Sequence, residues 1–300
     1  MKLVRPFVFF LIIIVFVLTL LYSGYLPLLK VPKKLNIGQT AQLSPYPVKV
    51  DNFQDAQQLT ARAATVIDNK TGITLYEKNP TLKHLPASTT KLMTAIVALE
   101  RCLPQTVITV GYVQPEGTKM GLAAGDKVTV ETLLYGLLIP SGNDAAYVLA
   151  YSCSDSYEDF LAAMNRKAKE LGMTDSHFAN PAGFDDKFQY STARDLTKLS
   201  RAAVANPLIA KIVKTRSVVV SDVNGTKAYY LENVNKLLGV VPGLEGVKTG
   251  QTEGSLENLV TYTNRSGKGV ITVVLGSQDR FGESQSLIEW AYKNHSWVNP

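Results

Sequence analysis

The sequence predicts an α+β fold in which an antiparallel sheet is built from both ends of the chain, with a helical subdomain inserted between them. Three observations predict it: strand-like segments lie before residue 78, helix-like segments fill the middle of the chain, and strand-like segments return after residue 214. The 300 residues are 46% hydrophobic and 19% charged, which is typical of a globular protein with a sizeable core.

The N-terminus has the features of an export signal. Lys2 and Arg5 precede an apolar run from Phe7 to Tyr22, which is the order of charged and apolar regions in a secretory signal. No pair of small residues marks a clear cleavage site, so an uncleaved signal-anchor is favoured over a cleaved signal peptide. Both alternatives place the rest of the chain outside the cytoplasm. The predicted divisions are a signal-anchor or transmembrane helix at 1–29, a linker at 30–59 and a folded domain at 60–300.

The predicted elements begin with a hairpin. Residues 61–68 and 73–77 have strand character, and residues 69–72 between them have the composition of a turn. A strongly apolar helix then runs from Ser88 to near Cys102, and its uniform apolarity indicates that it is buried. The remaining predicted elements are helices near 130–138, 144–151, 156–171 and 192–205, strands near 218–220, 228–231, 259–262 and 270–275, and a last helix near 282–292.

Composition and residue patterns exclude several functional classes. The net charge is +6, but no Lys- and Arg-rich run with interleaved aromatics supports nucleic-acid binding. The three histidines are His84, His177 and His295, and no G-x-S-x-G sequence surrounds a serine, which argues against a Ser-His-Asp hydrolase. The absence of H-E-x-x-H argues against a zinc peptidase. We therefore predict no metal and no cofactor.

Ser88 and Lys91 are the first candidate catalytic pair. They lie three positions apart at the start of the buried helix, where they share one helix face and the lysine amine can reach the serine hydroxyl. A serine hydroxyl needs a base to take its proton. A lysine can be that base only if burial or a second cation lowers its pKa. The alternative for Ser88 taken alone is a helix-capping serine.

Two further motifs carry candidate chemistry. Ser141 and Asn143 flank Gly142 in a tight turn, where a hydroxyl and an amide can relay a proton and hold a substrate amide. The alternative is a simple turn with Asn143 capping the next helix. In Lys248–Gly250, the lysine and threonine can bind a carboxylate, and the glycine lets a substrate approach the backbone. The same three letters at residues 70–72 belong to the predicted hairpin turn.

Taken together, in the order S-x-x-K, S-x-N, K-T-G, the motifs resemble those of the D-alanyl-D-alanine carboxypeptidases, the low-molecular-mass penicillin-binding proteins. The resemblance runs from about Ala64 to Trp290 and includes PASTTKLMTA, GLLIPSGNDAA, FANPAGFDDKFQYSTARDL, GVKTGQT and RFGES. Ser255 and Leu256 stand where the family usually has an Ala-Gly pair, which is a departure. The resemblance implies that the α+β fold is of the β-lactamase/transpeptidase-like type.

The resemblance also implies a function. A serine-type enzyme of this family would remove the terminal D-alanine from peptidoglycan stem peptides at the bacterial cytoplasmic membrane, and β-lactams such as penicillin would acylate and inhibit it. The alternatives are a β-lactamase or a D,D-endopeptidase on the same machinery, or a catalytically silent wall-binding scaffold. No glutamate that would speed deacylation is identifiable, so we expect hydrolysis of β-lactams to be slow.

The family assigns roles to the residues around the nucleophile. Ser88 would form the acyl-enzyme, and Lys91 would be the general base for acylation. Ser141 and Asn143 would support proton transfer and hold the amide of the penultimate residue. These four residues are the predicted catalytic set.

The family also implies a set of substrate-binding residues. Lys248 and Thr249 would bind the terminal D-alanine next to Gly250. The oxyanion hole would consist of the backbone N–H groups of Ser88 and Gln251.

Two arginines and two cysteines complete the expectations. Arg194 and Arg280 match family arginines near the substrate carboxylate, with a surface salt bridge as the alternative for each. Cys102 and Cys153 would lie at the far ends of two helices that both begin at the active site. The layout that the resemblance implies therefore allows a disulfide between them, and two free buried thiols are the alternative.

Overall fold

The computed structural model describes residues 12–19, 44–113 and 115–300. Residues 44–300 form one folded unit. Residues 12–19 are helical, and the three described stretches contain no helix that is both long and apolar enough to cross a membrane. The rest of the predicted signal-anchor at 1–29 lies outside the described residues.

The folded unit is organised around one antiparallel sheet. The strands of the folded unit, in the central sheet and in smaller two-stranded sheets, are β1 (Tyr46–Lys49), β2 (Ala63–Asp68), β3 (Thr74–Lys78), β4 (Val107–Thr109), β5 (Lys127–Thr129), β6 (Ser217–Ser221), β7 (Ala228–Glu232), β8 (Leu244–Thr252), β9 (Leu256–Arg265), β10 (Lys268–Ser277) and β11 (His295–Val298). The central sheet has five strands in the spatial order β3-β2-β10-β9-β8. Because β2 and β3 come early in the chain and β8 to β10 come late, the prediction of a sheet built from both chain ends is confirmed.

Seven helices accompany the strands within residues 44–113 and 115–300. They are α1 (Lys91–Arg101), α2 (Val130–Leu138), α3 (Asn143–Ser152), α4 (Tyr157–Glu170), α5 (Ala193–Ala205), α6 (Pro207–Val213) and α7 (Arg280–Asn294), and a 3-10 turn at Ala87–Thr90 leads directly into α1. The side chains of Thr129, Ser156 and Thr192 accept backbone N–H groups at the starts of α2, α4 and α5. These caps explain why the predicted starts of these three helices agree closely with the structure.

The sheet is covered on both faces. Val270 and Val274 of β10 pack with Leu287 of α7 on one face, whereas Ile271 and Val273 pack with the helical subdomain on the other. Alternate residues of a strand point to opposite faces, so β10 is buried on both sides. At one edge of this sheet, β8 pairs only with β9 among the described strands, which leaves its other edge facing the helical subdomain.

One boundary differs from the prediction, and one helix was not predicted. Residues 46–49 fall in the predicted linker, but they form β1 and pair with β11, so the folded unit begins before residue 60. Pro207 follows the end of a predicted helix, but in the structure it is the first residue of α6. The Asn206 side chain accepts the N–H groups at the start of that helix, and proline is well suited to a first helical position because its missing N–H is not needed there.

Cys102 and Cys153 form a disulfide, with their Cα atoms 5.6 Å apart. Cys102 follows the last residue of α1, and Cys153 follows the last residue of α3. The bond therefore joins the C-terminal ends of the two helices whose N-terminal ends carry Lys91 and Asn143. The two cysteines are 51 positions apart, and closing a loop of that length stabilises the fold by about 4 kcal/mol in chain-entropy terms.

Candidate active site

Ser88 and Lys91 meet where the 3-10 turn passes into α1. The Lys91 Nζ atom donates one hydrogen bond to the Ser88 Oγ atom at 2.8 Å and another to the carbonyl oxygen of Ala182 at 2.8 Å. Lys91 is completely buried, whereas Ser88 is half-buried. The structure therefore brings the predicted pair into contact, with the amine behind a hydroxyl that solvent and substrate can reach.

The charge state of Lys91 follows from its surroundings. Burial lowers the pKa of Lys91 well below that of a free lysine, because the charged amine loses its hydration, and the second cation at Lys248 lowers this pKa further. The carboxylate of Asp144 acts in the opposite direction but is the smallest of the three influences. A buried amine whose pKa is lowered in this way can accept the proton of a neighbouring hydroxyl.

A short loop closes the site beneath Lys91. Ala182 belongs to this loop, and the Thr94 Oγ1 atom on α1 donates a hydrogen bond to the carbonyl oxygen of the preceding Pro181 at 2.7 Å. Gly183 follows at φ +90°, and a Cβ atom there would overlap the carbonyl group of Ala87. Only glycine combines that backbone conformation with so close an approach, so the loop is fitted tightly against the turn that carries Ser88.

Ser141 and Asn143 lie at the start of α3. Ser141 adopts a left-handed conformation with φ +67°, and its Oγ atom is buried with no hydrogen-bond partner among the described residues. Asn143 is held on two sides, because its backbone N–H donates to the carbonyl oxygen of Thr118 and its Nδ2 atom donates to that of Glu116, each at 2.7 Å. The backbone of Ser141 is strained, and its hydroxyl remains free for an incoming group.

Lys248 and Thr249 lie on the edge strand β8. Both are buried, Lys248 to 1% exposure, and the Lys248 Nζ atom donates a hydrogen bond to the carbonyl oxygen of Thr249 at 3.1 Å. Burial lowers the pKa of Lys248 to about 7, and the positive charge of Arg280 contributes in the same direction. The structure therefore brings a second, weakly basic lysine to the site, and Lys248 is one of the groups that lower the pKa of Lys91.

Gly250 sets the distance between β8 and the serine. A Cβ atom on Gly250 would lie 3.0 Å from the carbonyl oxygen of Pro86 and 3.2 Å from the backbone nitrogen of Ser88. The strand thus passes directly beside the turn that carries the nucleophile. Gln251 follows with an exposed side chain, and its backbone N–H and that of Ser88 are the two predicted oxyanion donors.

The two predicted arginines have different positions. Arg280, the first residue of α7, donates a hydrogen bond from Nη1 to the carbonyl oxygen of Gly250 at 2.9 Å, so it lies at the site. Arg194 does not. Its exposed guanidinium pairs with Glu77 at 3.3 Å, and Glu77 belongs to β3, which lies at the opposite edge of the sheet, about 19 Å from β8. This contact is the surface salt bridge given as the alternative for Arg194, and its binding of substrate stays a prediction.

The chain also matches a known protein family. Residues 50–279 match the family model described as D-alanyl-D-alanine carboxypeptidase. The chain belongs to this family. The family predicted from the three motifs is therefore confirmed.

Individual relatives of the carboxypeptidase family agree with this assignment. D-alanyl-D-alanine carboxypeptidase DacF of Bacillus subtilis is 31% identical over 245 residues, which cover 78% of this chain and 63% of that protein. The D-alanyl-D-alanine carboxypeptidase of a Streptomyces strain is 35% identical over 237 residues, which cover 73% of this chain and 81% of that protein. The chain thus spans less than two thirds of the length of the Bacillus relative.

Solved structures share the fold. The crystal structure of a Streptomyces DD-transpeptidase matches with a TM-score of 0.75 at 32% identity, covering 80% of this chain and 100% of that one. A penicillin-binding protein homolog from Mycobacterium tuberculosis matches with a TM-score of 0.77 at 30% identity, covering 84% of this chain and 99% of that one. The α+β architecture with its antiparallel sheet is therefore shared with these two solved structures.

Asp144 is a site residue that the motifs did not reveal. It is 1% exposed, and its carboxylate accepts the backbone N–H groups of Met120, Gly121 and Leu122 at 2.9 to 3.1 Å. These bonds fix the loop whose carbonyl groups hold Asn143. The signal was present in the sequence, because an aspartate in the first turn of a helix favours backbone N–H partners, but its partners come from a loop more than twenty positions away.

Ser255 and Leu256, which replace the family's usual Ala-Gly pair, lie where the turn after β8 leads into β9. Leu256 begins β9 in a left-handed conformation with φ +54°, which glycine adopts without steric cost. The Ser255 Oγ atom accepts the backbone N–H of Thr252 at 2.9 Å, so the serine closes the turn after β8 with its own side chain. The three motifs keep their contacts around this altered turn.

Proposed function

We propose that this enzyme removes the terminal D-alanine from peptidoglycan stem peptides through an acyl-enzyme on Ser88, and that β-lactams acylate the same serine. The observation that carries the proposal is the 2.8 Å contact between the Lys91 Nζ atom and the Ser88 Oγ atom. A completely buried lysine with a strongly lowered pKa is an activated base rather than a surface cation.

Acylation uses the groups around this contact. Neutral Lys91 takes the proton of Ser88 as the Oγ atom attacks the carbonyl carbon between the last two D-alanine residues. The N–H groups of Ser88 and Gln251 stabilise the negative oxygen that forms. The carbon–nitrogen bond then breaks, and the proton passes to the leaving amine through the unpartnered hydroxyl of Ser141. Free D-alanine departs, and the remaining peptide stays esterified to Ser88.

Recognition of the terminal carboxylate depends on the cations beside β8. Lys248 supplies a positive charge next to the hydroxyl of Thr249. The guanidinium of Arg280 contacts the carbonyl oxygen of Gly250, the next residue of the strand, and its Nε atom is buried without a hydrogen-bond partner among the described residues. A carboxylate that enters this region meets charged and neutral donors together. A substrate that ends in D-alanine therefore binds better than one whose terminal carboxyl group is blocked.

Deacylation distinguishes this enzyme from a β-lactamase. Among the described residues, the hydrogen-bond partner of the Ser88 hydroxyl is Lys91, and no carboxylate contacts either group. The nearby Asp144 is occupied by backbone N–H groups. Water can attack the peptide ester with Lys91 as the base, but no described glutamate contacts Ser88 or Lys91, where it could activate water against a bulky β-lactam ester. A penicilloyl-enzyme is therefore long-lived.

The enzyme acts outside the cytoplasm, and residues 1–29 hold it at the membrane as an uncleaved signal-anchor. The charged start at Lys2 and Arg5, the following apolar run and the lack of a small-residue cleavage site support this arrangement. Mass spectrometry of the protein from the membrane fraction tests it. Peptides that contain the apolar run are expected, and a mature N-terminus after residue 22 would show that the segment is a cleaved signal peptide.

The catalytic proposal is tested by two measurements on the full chain. Wild-type protein should bind fluorescent penicillin covalently and release D-alanine from a stem pentapeptide, and Ser88→Ala should abolish both. Ser156→Ala, which alters the cap of α4, serves as the matched serine control and should retain both activities. Neither labelling nor release by the wild type would indicate a silent scaffold, and rapid β-lactam turnover with little D-alanine release would indicate a β-lactamase.

A further inference from the structure

Three tyrosines stack on one another outside the catalytic residues and form what we call the tyrosine cluster. Tyr147 and Tyr151 lie on α3, and Tyr157 is the first residue of α4. The ring centres of Tyr147 and Tyr157 are 6.0 Å apart with 9° between the ring planes, and those of Tyr151 and Tyr157 are 5.1 Å apart. Tyr151 is 56% exposed, and the other two are half-buried. The tyrosine cluster therefore presents an aromatic surface to solvent.

The tyrosine cluster begins close to the candidate active site. Asn143, Tyr147 and Tyr151 are spaced four residues apart on α3, so they follow one side of the helix. The Tyr147 ring lies 6.3 Å from the ring of Phe184, which follows Gly183 in the loop that is fitted against the turn carrying Ser88. The aromatic surface thus starts at the border of the site and extends away from it along α3.

The chemistry of the tyrosine cluster suits an uncharged ring with polar edges. Aromatic faces pack against apolar surface, and tyrosine hydroxyls at the ring edge donate and accept hydrogen bonds. Burial raises the pKa of Tyr147 and of Tyr157, so both hydroxyls stay neutral near neutral pH. A sugar ring combines a C–H face, which can lie on an aromatic ring, with hydroxyl and acetamido groups at its edge.

The substrate in the proposed function brings sugar rings to the distance of the tyrosine cluster. A stem pentapeptide is attached to an amino sugar of the glycan strand, and four of its residues lie between that sugar and the bond that is cleaved. Four extended residues span up to about 14 Å. At 1.5 Å per residue, Tyr151 lies about 12 Å along α3 from Asn143. A strand whose stem peptide reaches Ser88 can therefore also contact Tyr151.

We propose that the tyrosine cluster is a binding surface for the glycan strand of peptidoglycan, with a sugar ring stacked on Tyr151. The proposal goes beyond the proposed function and rests on it for the choice of ligand. It implies that the enzyme recognises the sugar as well as the peptide. A stem peptide that is still attached to its sugars therefore reacts faster than the same peptide free in solution.

The first test compares kcat/KM for D-alanine release by the full chain from two substrates, a free pentapeptide and the same pentapeptide attached to its N-acetylglucosaminyl-N-acetylmuramyl disaccharide. The disaccharide substrate should react about three- to tenfold faster, which is the size of effect expected from one stacking contact. Tyr151→Ala should remove this advantage, and Tyr151→Phe, which keeps the ring, should retain it. An equal ratio in the wild type and in Tyr151→Ala would overturn the proposal.

Tyr230→Ala is the matched control for this comparison. Tyr230 is 83% exposed on β7, and no described ring stacks on it. Its removal should leave the ratio between the two substrates unchanged. A loss of the ratio in Tyr230→Ala as large as that in Tyr151→Ala would show that the effect does not come from the tyrosine cluster.

The second test needs no catalysis. The Ser88→Ala protein is titrated in a calorimeter with chitotetraose, a β-1,4-linked oligomer of N-acetylglucosamine that carries no peptide. Adding Tyr151→Ala should weaken binding by about three- to tenfold, and no binding, or equal binding by both proteins, would overturn the glycan surface. Dimerisation that depends on Tyr151, without sugar binding, would assign the tyrosine cluster to a second copy of the chain. Failure to release D-alanine from either substrate would overturn the proposed function and leave this titration unaffected.

Discussion

The tripeptide Lys-Thr-Gly occurs twice in this chain, at residues 70–72 and at residues 248–250, and the two copies lie in different surroundings. The first copy is in the turn between β2 and β3. The second copy is inside β8, beside the nucleophile. Because the side chains are the same, the differences between the two regions come from the fold alone.

In the turn between β2 and β3, the tripeptide stabilises the local backbone conformation. The Asp68 carboxylate accepts both the N–H and the hydroxyl of Thr71, at 2.7 and 2.6 Å. Gly72 adopts φ +76°, as a tight turn requires, and Lys70 is exposed to solvent. The lysine of this copy keeps its hydration, and no group of the site lies beside it.

In β8, the same three residue types lie buried beside the candidate nucleophile. Lys248 is buried with a pKa of about 7, Thr249 is 5% exposed, and Gly250 lies against the turn that carries Ser88. A motif of three letters therefore identifies a site only together with burial and neighbouring charges. The following predictions test that conclusion.

The largest expected difference lies between the two lysines. Lys248→Ala should lower kcat/KM for D-alanine release by about 100- to 1,000-fold, because it removes a preorganised charge from a buried site. Lys70→Ala should leave kcat/KM within twofold of the wild type. Steady-state kinetics on both variants measures the difference. If Lys248→Ala kept more than a tenth of the wild-type kcat/KM, this prediction would be contradicted.

The two glycines should differ next. Gly250→Ala should lower kcat by about 10- to 100-fold, because its Cβ atom would press on Pro86 and on the Ser88 backbone, and small displacements of reacting groups are costly. Gly72→Ala should leave kcat unchanged and lower the free energy of unfolding by about 1 kcal/mol, because alanine is strained at a positive φ. Kinetics and denaturant titration measure the two effects, and a loss of kcat in Gly72→Ala would argue against the separation.

The pKa of Lys248 predicts a pH effect on substrate binding. As the pH rises through about 7, Lys248 loses its proton, the positive charge at the carboxylate disappears, and KM for the pentapeptide should rise by up to about tenfold per pH unit. A matched peptide that ends in D-alaninamide carries no terminal carboxylate, so its KM should not follow this rise. Equal profiles for the two peptides would show that Lys248 does not bind the carboxylate through its charge.

The smallest expected effect concerns the turns. The turn after β2 has Gly72 at its positive φ, whereas the turn after β8 has Leu256 at φ +54°. Leu256→Gly should raise the free energy of unfolding by about 1 kcal/mol by relieving that strain, with little change in kcat. Ser266→Gly, at φ +53° in the turn between β9 and β10, is the matched control and should stabilise similarly. No change in the unfolding midpoint of either variant would contradict the strain.

Local elements were predictable where the signal was local. The helix expected near 130–138 is α2 at Val130–Leu138, because periodic apolar residues and a threonine cap define it. The helix α6 was missed because Pro207 can either follow a helix or begin one, and the capping contacts of Asn206 that decide between them are not visible in a pattern. The strand β1 was missed because its partner among the described strands, β11, lies about 250 positions later in the chain.

Within the site, the three motifs predicted which residues come together, but not their supports. Ser88 contacts Lys91, and Lys248 lies close enough to lower the pKa of Lys91, as the order of the family's motifs predicted. Arg194 matched the family equally well in sequence, yet strand order places its partner Glu77 across the sheet. The role of Asp144 and the carbonyl partner of Lys91 at Ala182 depend on which loops meet, and that information is carried by tertiary packing.

The placement of β10 between β2 and β9 also determines when the enzyme can first act. A nascent chain that has emerged as far as α5 already contains the serine and its base, but it has no strand on which to hold the cation or the second oxyanion donor. Because β10 lies between β2 and β9, the five-stranded sheet cannot close until Lys268–Ser277 has left the ribosome. The order of the strands thus delays assembly of the site until that strand has been made.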